Sequence, residues 1–319
     1  METYYMYHQN EYKPSSFPEM VLALGFFDGV HVGHQEVIQT AKQIASEKGC
    51  AFGIMTFHPH PKVVLSPHVS ETDMRYITPL YHKETELEKE NPDYLFVVHF
   101  DSAFAKLEPQ EFIDKYIIEL QVKHVVAGFD FSYGRLGKGS METLSFHARN
   151  QFSQTTVGEI QHNGKKISST LIKNYIEMGQ MNDVKMLLGR SYSTRGVVEH
   201  GEQRGRTIGF PTANIKLRHA YIMPAAGVYA VQIKVKDNWF DGVCNIGYKP
   251  TFHKDKPDEP IIEVYIFDFE EDIYGEETEV CFHAYIRPEE KFANVEELIK
   301  EMENDTQAAQ NILRVLTES

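Results

Sequence analysis

Apolar runs and amphipathic segments alternate along the first half of the chain. Met20–Leu24 is wholly apolar, which is typical of a buried strand, and from His34 to about Lys48 the apolar residues recur at helical spacing until Gly49. Strands separated by helices predict right-handed crossovers and a doubly wound, mainly parallel sheet. The remaining predicted strands and helices of this half are Ala51–Phe57, Tyr94–Phe100, His124–Gly128 and Thr156–Ile160, and Pro79–Glu90 and Pro109–Leu120, respectively.

The pattern changes after Leu188-Gly189-Arg190. Short strands then follow one another with almost no helix, at Tyr192–Glu199, Val228–Val235, Phe240–Ile246, Ile261–Phe267 and Val280–Ile286. Such a run is typical of a small antiparallel barrel or sandwich. Val295–Leu316 is amphipathic and predicts a final helix. We therefore predict an α/β chain with two domains, residues 1–188 and 189–319.

Composition and charge narrow the class of protein. The 319 residues carry 32 Lys and Arg against 46 Asp and Glu, a net charge of −14 without a strongly basic stretch, which argues against a nucleic-acid partner. Three scattered cysteines argue against a disulfide framework or a zinc site. The sequence contains neither a membrane-spanning apolar run nor a signal-peptide pattern. These features predict a cytoplasmic protein without a membrane partner and leave self-association open.

The stretch Gly25–His34 is the first candidate site. It joins the strand at Met20–Leu24 to a helix through a turn that contains three glycines. Free backbone N–H groups and the positive end of the helix dipole meet at such a turn, which is how a chain builds a phosphate site. His31 and His34 are three residues apart, so both side chains can point to one side of the helix start.

Three more polar segments follow predicted strands. They are His58-Pro59-His60-Pro61, the glycine-bearing loop 128–140 with Asp130, and Ser168-Ser169-Thr170. Each alone has a simple structural explanation, as a surface turn, a turn cap and a helix N-cap. Because the carboxyl ends of parallel strands meet at one edge of the sheet, their occurrence together predicts a single ligand site.

These motifs resemble those of the prokaryotic bifunctional riboflavin kinase/FAD synthetase family, from Gly25 almost to the C-terminus. Gly25–His34 resembles that family's form of the nucleotidylyltransferase HxGH signature, and Thr56–Pro61 resembles its TFxPHP segment. Gly128–Gly134 resembles its GxDFxFG loop, and Ile167–Lys173 its ISSTxIR motif. The resemblance implies a nucleotidylyltransferase domain that transfers AMP from ATP to FMN and releases FAD and pyrophosphate.

The resemblance also implies site residues in this domain. The implied catalytic pair is His31 and His34. The residues implied to bind ATP and its phosphates are these two together with Gly25, Phe27, Asp28, Gly29, Gly33, Ser168, Ser169, Thr170 and Lys173. Those implied to contact flavin or nucleotide are His58, His60, Asp130 and Tyr133.

The implied reaction needs no covalent intermediate. The FMN phosphate attacks the α-phosphorus in line, so catalysis consists of positioning and charge neutralisation. Magnesium is implied as the partner of the phosphates. Two residues depart from the family pattern: Lys173 stands where Arg is usual and loses the bidentate fork, whereas Tyr133 in place of Phe keeps the aromatic face.

The second domain has its own signature in Gly201–Asn214, which ends in the PTAN motif of riboflavin kinases. A glycine-rich hairpin explains the glycines but not Thr212 and Asn214, which alternate along an extended chain and so point the same way. Their side-chain oxygens suit a hard cation, and the resemblance implies that they hold magnesium against ATP phosphates. The further residues implied to bind ATP are Gly205, Arg206, Gly209, Phe210 and Pro211.

Two later segments complete the resemblance and imply a riboflavin kinase-like antiparallel β-barrel. Asn245–Phe252 resembles the family's NIGxRPTF with Lys249 in place of Arg, and Glu263–Phe269 resembles its VExxxxDF strand. Glu263 is the predicted general base that takes the proton of the riboflavin 5′-hydroxyl as it attacks the γ-phosphate. The alternative is that Glu263 is an outward polar residue of a strand with Val264 and Ile266 inside. Arg287 is a candidate for contacting ligand phosphate, or simply ends a strand.

Three functions follow as alternatives. The first is a two-module enzyme that converts riboflavin to FMN and FMN to FAD with ATP and magnesium. The second keeps the same fold with only one active module, the FMN adenylyltransferase. The third is a flavin-binding regulator with an RNA or protein partner, which the net charge of −14 disfavours for RNA.

Overall fold

The computed structural model describes residues 1–8, 17–201, 205, 208–249 and 259–317. It divides into two compact units, residues 1–169 and 170–319. The helices that follow Ser168 therefore pack with the second unit. The functional boundary at residues 188 and 189 stays a prediction.

The first unit is built on a six-stranded parallel sheet in the order β1-β4-β3-β2-β5-β8. Strand order reverses between β2 and β5, so the sheet is doubly wound as predicted, and the two strands diverge at their carboxyl ends. The strands are β1 (Glu2–Met6), β2 (Met20–Leu24), β3 (Ala51–His58), β4 (Tyr94–His99), β5 (Val122–Gly128) and β8 (Ser153–Val157). Short hairpins add β6 (Ser132–Tyr133), β7 (Gly139–Ser140), β9 (Gln161–His162) and β10 (Lys165–Lys166).

Helices cover both faces of this sheet because the strands between them are apolar on both sides. One face packs against the first helix through residues such as Ile38 and Ile54, and the other packs against Phe112 and Tyr116. The helices are α1 (Val32–Lys48), α2 (Pro61–Leu65), α3 (Leu80–Glu88), α4 (Pro109–Ile113) and α5 (Leu144–Ala148).

Several boundaries differ from the sequence-based prediction. Strand β1 was not predicted, because this short polar and aromatic segment has no clear alternation and becomes a strand only by pairing with β4 at the sheet edge. The helix predicted over residues 109–120 ends as α4 at Ile113 and continues as a π-helical turn, Asp114–Ile118. The strand predicted over residues 156–160 is β8, three residues earlier, where it pairs with β5.

The second unit is a closed six-stranded antiparallel barrel in the order β11-β12-β15-β14-β13-β16. The barrel alternative of the prediction is confirmed, and the PTAN segment supplies the unpredicted strand β12. The strands are β11 (Tyr192–Glu199), β12 (Thr212–Leu217), β13 (Gly227–Val235), β14 (Asn238–Lys249), β15 (Glu259–Ile266) and β16 (Glu277–Arg287). The helices are α6 (Ser169–Glu177), α7 (Met181–Leu188) and α8 (Val295–Thr317).

The final helix closes one side of the barrel. Ala309 and Leu313 of α8 are buried against Val228, Ala230 and Val243 of β13 and β14. Burial of this apolar stripe is what holds the helix, because its opposite face is charged. No helix in the described ranges is long and apolar enough to cross a bilayer.

Candidate active sites

A cavity of about 460 Å³ opens at the carboxyl ends of the strands in the first unit. It lies where strand order reverses, which is the usual place for a ligand in a doubly wound sheet. The structure brings nine of the predicted residues to its wall: Gly25, Phe27, His31, Gly33, His34, Asp130, Tyr133, Ser168 and Ser169. The prediction that separate motifs converge on one edge of the sheet therefore holds for the turn at residues 25–34, the loop at 128–140 and Ser168 and Ser169.

The turn before α1 has an unusual backbone. Phe27, Gly29 and Val30 all have positive φ, at 54°, 90° and 41°, and for a β-branched residue such as Val30 this conformation is strained. At Gly25 a Cβ atom would lie 2.6 Å from the Phe27 ring, so only glycine fits there. Surrounding contacts must hold the turn in this conformation.

The two histidines of the turn form a stacked pair. Their ring centroids are 3.5 Å apart with an interplanar angle of 17°. His31 caps α1, since its Nδ1 accepts the His34 N–H at 3.3 Å. Burial, and then the charges of His31 and Lys83, lower the pKa of His34 well below its usual value, so this imidazole is neutral at pH 7.

The side chain of Asp28 does not line the cavity. Its buried carboxylate accepts the N–H groups of Ile77 and Thr78 through Oδ1 at 2.9 and 3.1 Å. Its carbonyl oxygen accepts the Ser169 hydroxyl at 2.9 Å. Asp28 therefore ties the turn to two distant segments, and a contact of its carboxylate with ATP stays a prediction.

The His58–His60 segment lies beside the cavity rather than in its wall. His60 caps α2 by accepting the Lys62 N–H at 3.1 Å, and its ring contacts the Phe26 ring edge-to-face at 4.7 Å. Burial lowers the pKa of His58 to about 4, so its 3.8 Å contact with Glu71 is not an ion pair at neutral pH. The roles of both histidines toward a ligand stay predictions.

Two polar pairs hold the opposite wall. Lys166 and Asp130 form an ion pair at 2.5 Å, and the Lys166 ammonium also lies 4.5 Å from the centroid of the Phe129 ring. The Tyr133 hydroxyl is hydrogen-bonded to Nδ1 of His147 at 2.8 Å. Thr170 and Lys173 belong to the second structural unit, so their predicted phosphate contacts stay predictions.

A second cavity, of about 400 Å³, is lined by residues of the barrel strands and of α8. Its wall includes Gly205, Thr212, Glu263 and Arg287 from the predicted set. Glu263 on β15 is the direct cross-strand partner of Asn214 on one side and of Asn245 on the other. Thr212 and Asn214 on β12 are therefore brought beside Glu263 on the neighbouring strand, a proximity that the alternation of Thr212 and Asn214 did not predict.

The segment before β12 folds back on itself. The Phe210 N–H donates to the Gly205 carbonyl oxygen at 2.9 Å, and the Phe210 ring packs edge-to-face on Tyr265 at 5.1 Å. Gly209 has φ 88°, a value that favours glycine. Pro211 immediately precedes β12, and Arg206 lies outside the described residues.

Arg287 is the last residue of β16, and its guanidinium forms an ion pair with an acidic side chain. Its Nε and Nη2 donate to the two carboxylate oxygens of Asp305 on α8, both at 2.8 Å. This bidentate pair raises the pKa of Arg287 and joins the barrel to α8. The predicted contact between Arg287 and a ligand phosphate stays a prediction.

Comparison with known proteins adds an independent observation. A protein-family model described as FAD synthetase matches residues 13–171, and one described as riboflavin kinase matches residues 188–313. A Bacillus subtilis protein named bifunctional riboflavin kinase/FMN adenylyltransferase is 46% identical over 309 residues, covering 97% of each chain. The chain belongs to this bifunctional family. A Listeria monocytogenes relative of the same name is also 46% identical, over 96% of each chain.

One solved structure matches the whole fold. A Streptococcus pneumoniae protein named macrolide-efflux protein is 34% identical, with a TM-score of 0.88 over 97% of this chain and 99% of its own. The efflux name belongs to that protein. The overall agreement confirms that both units occur together in another chain.

For this member of the bifunctional family, sequence reasoning missed several residues at or beside the cavities. In the first unit they are Thr56, Lys83 and Lys166, and in the second they are Asn245 and Glu289, joined by a 3.2 Å hydrogen bond. Lys166 directly precedes the motif at residues 167–173, and Thr56 and Asn245 each begin a motif that resembles the family's. Their positions in the sequence could therefore have identified these three residues. Lys83 lies in a run of charged residues, and nothing in the sequence distinguishes it from the other charged residues of that run.

Proposed function

We propose that the chain makes FAD from riboflavin in two ATP-dependent steps. In the first step the barrel phosphorylates riboflavin to FMN, and in the second the parallel-sheet unit transfers AMP from ATP to FMN. One observation carries the proposal: each unit has a large cavity inside the range matched by its family model, lined in the first by His31 and Ser168 and in the second by Thr212 and Glu263. Because both models match, the proposal of two activities is favoured over that of a single active module.

For adenylyl transfer, the glycine-histidine turn receives the ATP phosphates. Backbone N–H groups at the start of α1, with His31 and His34, stabilise the charge that develops on the transferring phosphoryl group. Ser168 and Ser169 at the start of α6 hold the pyrophosphate that leaves. The neutral state of His34 makes it a hydrogen-bond donor without a charge of its own.

For the kinase step, Glu263 is the general base. It accepts the proton of the riboflavin 5′-hydroxyl as that oxygen bonds to the γ-phosphorus and ADP leaves, a role that suits a carboxylate beside a substrate alcohol. Gly205 and the turn through Phe210 and Pro211 contact ATP. Asn245 and Asn214 flank Glu263 and keep its side chain at the rim of the cavity.

The side-chain oxygens of Thr212 and Asn214 on β12 fit a magnesium ion. Thr212 and Asn214 offer one hydroxyl and one amide oxygen, which are hard neutral ligands, and an added Cβ at Gly201 would lie 2.2 Å from Nδ2 of Asn214. In the described ranges no group of three or more His, Cys, Asp or Glu side chains could hold a metal. These two residues would thus hold the ion together with ATP phosphates and water, and the ion would neutralise phosphate charge.

The cytoplasmic location and the lack of a nucleic-acid partner remain proposals, and self-association stays open. The net charge of −14, without a strongly basic stretch, supports the second of these.

Product analysis tests the two-step proposal. Purified protein is incubated with ATP, magnesium and either riboflavin or FMN, and the flavins are separated by chromatography. We expect riboflavin to give FMN and then FAD, FMN to give FAD directly, and a chelator to stop both reactions. Formation of FAD from FMN alone, with no product from riboflavin, would support the single-module alternative; no product from either would refute both.

A further inference from the structure

A buried lysine lies directly behind the glycine-histidine turn. Lys83 projects from α3, and only 2% of its surface is exposed. Its ammonium donates to the Phe26 carbonyl oxygen and to the Thr56 hydroxyl, each at 2.9 Å. It also lies 4.6 Å from the centroid of the Phe26 ring. The groups in direct contact with the ammonium of Lys83 are thus neutral oxygens and an aromatic face.

These contacts control the backbone at the start of the turn. The Thr56 hydroxyl donates to the same Phe26 carbonyl at 2.9 Å, so two donors from α3 and β3 meet on one acceptor. Phe26 stands between Gly25 and Phe27 in the cavity wall, and Phe27 is the first residue with positive φ. The orientation of the Phe26 carbonyl therefore determines how the strained turn leaves β2.

The surroundings of Lys83 bring the pKa of its ammonium close to neutral pH. Burial lowers the pKa of its ammonium to about 8, while the carboxylates of Asp28 in the turn and Glu84 on α3 oppose this shift. The charge of Lys83 in turn lowers the pKa of His34 on α1 and of His58 on β3. At pH 7 the ammonium is charged and its field reaches both histidines.

We propose that Lys83 is a positioning residue for adenylyl transfer, which holds the Phe26 carbonyl and keeps a fixed positive charge beneath the turn that receives the ATP phosphates. The inference rests on the proposed adenylyltransferase activity. A neutral donor could hold the carbonyl, and Thr56 already does so. What only a buried cation adds is a preorganised charge that needs no reorganisation when the phosphates arrive.

Three variants separate this role from simple packing. Lys83→Met fills similar space without charge or hydrogen bond, and Lys83→Arg keeps the charge. Lys89→Met removes an exposed lysine at the C-terminal end of the same helix. We expect Lys83→Met to lower kcat/KM for ATP in adenylyl transfer by about tenfold to a hundredfold. Lys83→Arg recovers most of this loss, Lys89→Met changes nothing, and riboflavin phosphorylation is retained in all three.

The pH profile gives the readout that a packing role would not change. The value of kcat/KM reports the free enzyme, so in the wild type it falls as pH rises through about 8, and in Lys83→Arg this fall moves to higher pH. Equal kcat/KM in wild type and Lys83→Met, or an alkaline limb that Lys83→Arg leaves in place, overturns the inference. If Lys83→Met does not fold, the wild-type and Lys83→Arg profiles decide. Absence of FAD formation by the wild type would instead refute the proposed function itself.

Discussion

Asn214 and Glu263 are direct cross-strand partners in the barrel, and Asn245 occupies the corresponding position on the other side of Glu263. A proposed metal ligand and the proposed general base are therefore neighbours across paired strands. Neither of them lies on a loop. Side chains on paired strands are positioned by the ladder itself, which suits a reaction that depends on alignment.

Replacement of the proposed base should separate the two activities. Glu263→Gln keeps the size of the side chain but cannot accept the proton of the riboflavin hydroxyl, so we expect FMN formation to fall by about a hundredfold or more. FAD formation from supplied FMN is retained. Flavin products are separated by chromatography, with Glu277→Gln at the exposed start of β16 as the matched control. Parallel loss of both activities would refute the division of labour.

The catalytic role of His31 can be tested separately from its role as the N-cap of α1. His31→Asn retains a side-chain acceptor for the His34 N–H, whereas His31→Ala removes it and costs about 1 kcal/mol of stability. Because both variants lack the imidazole, we expect both to lower adenylyl transfer by about a hundredfold to a thousandfold.

Riboflavin phosphorylation should be unchanged in these variants, which makes it an internal control for folding. His68→Asn, at an exposed position of the same unit, is the matched control. If His31→Asn transfers AMP at the wild-type rate, His31 serves only as a helix cap.

Acid should destabilise the barrel through His283. The ring of His283 is hydrogen-bonded to Ser191 and to Gln232, both at 3.1 Å. Burial, then Lys185, lowers its pKa to about 4, and Asp241 opposes the shift. The unfolded chain, with an ordinary histidine pKa, binds the proton first, so this contribution to stability is complete above pH 6.5 and is lost as pH falls toward 4.

The loss amounts to at most about 3 kcal/mol. The one tryptophan of the chain, Trp239, lies on β14, so its fluorescence during urea unfolding reports on the barrel. His283→Gln should flatten the dependence of unfolding free energy on pH, whereas His219→Gln at an exposed site should not. An unchanged slope in His283→Gln would show that other groups cause the acid sensitivity.

The bidentate pair between Arg287 and Asp305 should stabilise the packing of α8. Asp305 is 5% exposed, so Asp305→Asn removes the bidentate charged partner of the guanidinium, and we expect a loss of about 2–4 kcal/mol in unfolding free energy. Glu301→Gln is the matched control, because Glu301 lies farther from Arg287, at 3.5 Å. It should cost less than about 1 kcal/mol, measured by Trp239 fluorescence in urea. Equal effects of the two variants would contradict the assignment.

The hydroxyl of Tyr133 should matter little for catalysis. Tyr133→Phe removes the 2.8 Å hydrogen bond to His147 and keeps the aromatic face at the cavity. We expect adenylyl transfer within about threefold of the wild type and a stability loss of about 1 kcal/mol. Tyr5→Phe, which removes an exposed hydroxyl, is the control. A large loss of FAD formation in Tyr133→Phe would show that the hydroxyl contacts substrate.

The sequence alone determined the class of each half, most of the order of the elements and the motifs that point to phosphate chemistry, whereas the flavin substrate followed only from the resemblance to the bifunctional family. It could do so because periodicity and turn residues report local burial, and because a strand end followed by polar residues predicts where a parallel sheet exposes a site. The convergence of Gly25, Asp130 and Ser168 on one cavity followed from these local signals.

Only the tertiary structure decided which of the polar residues face a cavity. The carboxylate of Asp28 binds the 77–78 backbone, Arg287 pairs with Asp305, and Lys83, within a charged helix, is buried behind the turn. These outcomes depend on partners far away in the chain, and a single sequence carries no local signal for them. Burial and pairing across elements set the pKa and role of an ionisable group, so they appear only when the fold brings the elements together.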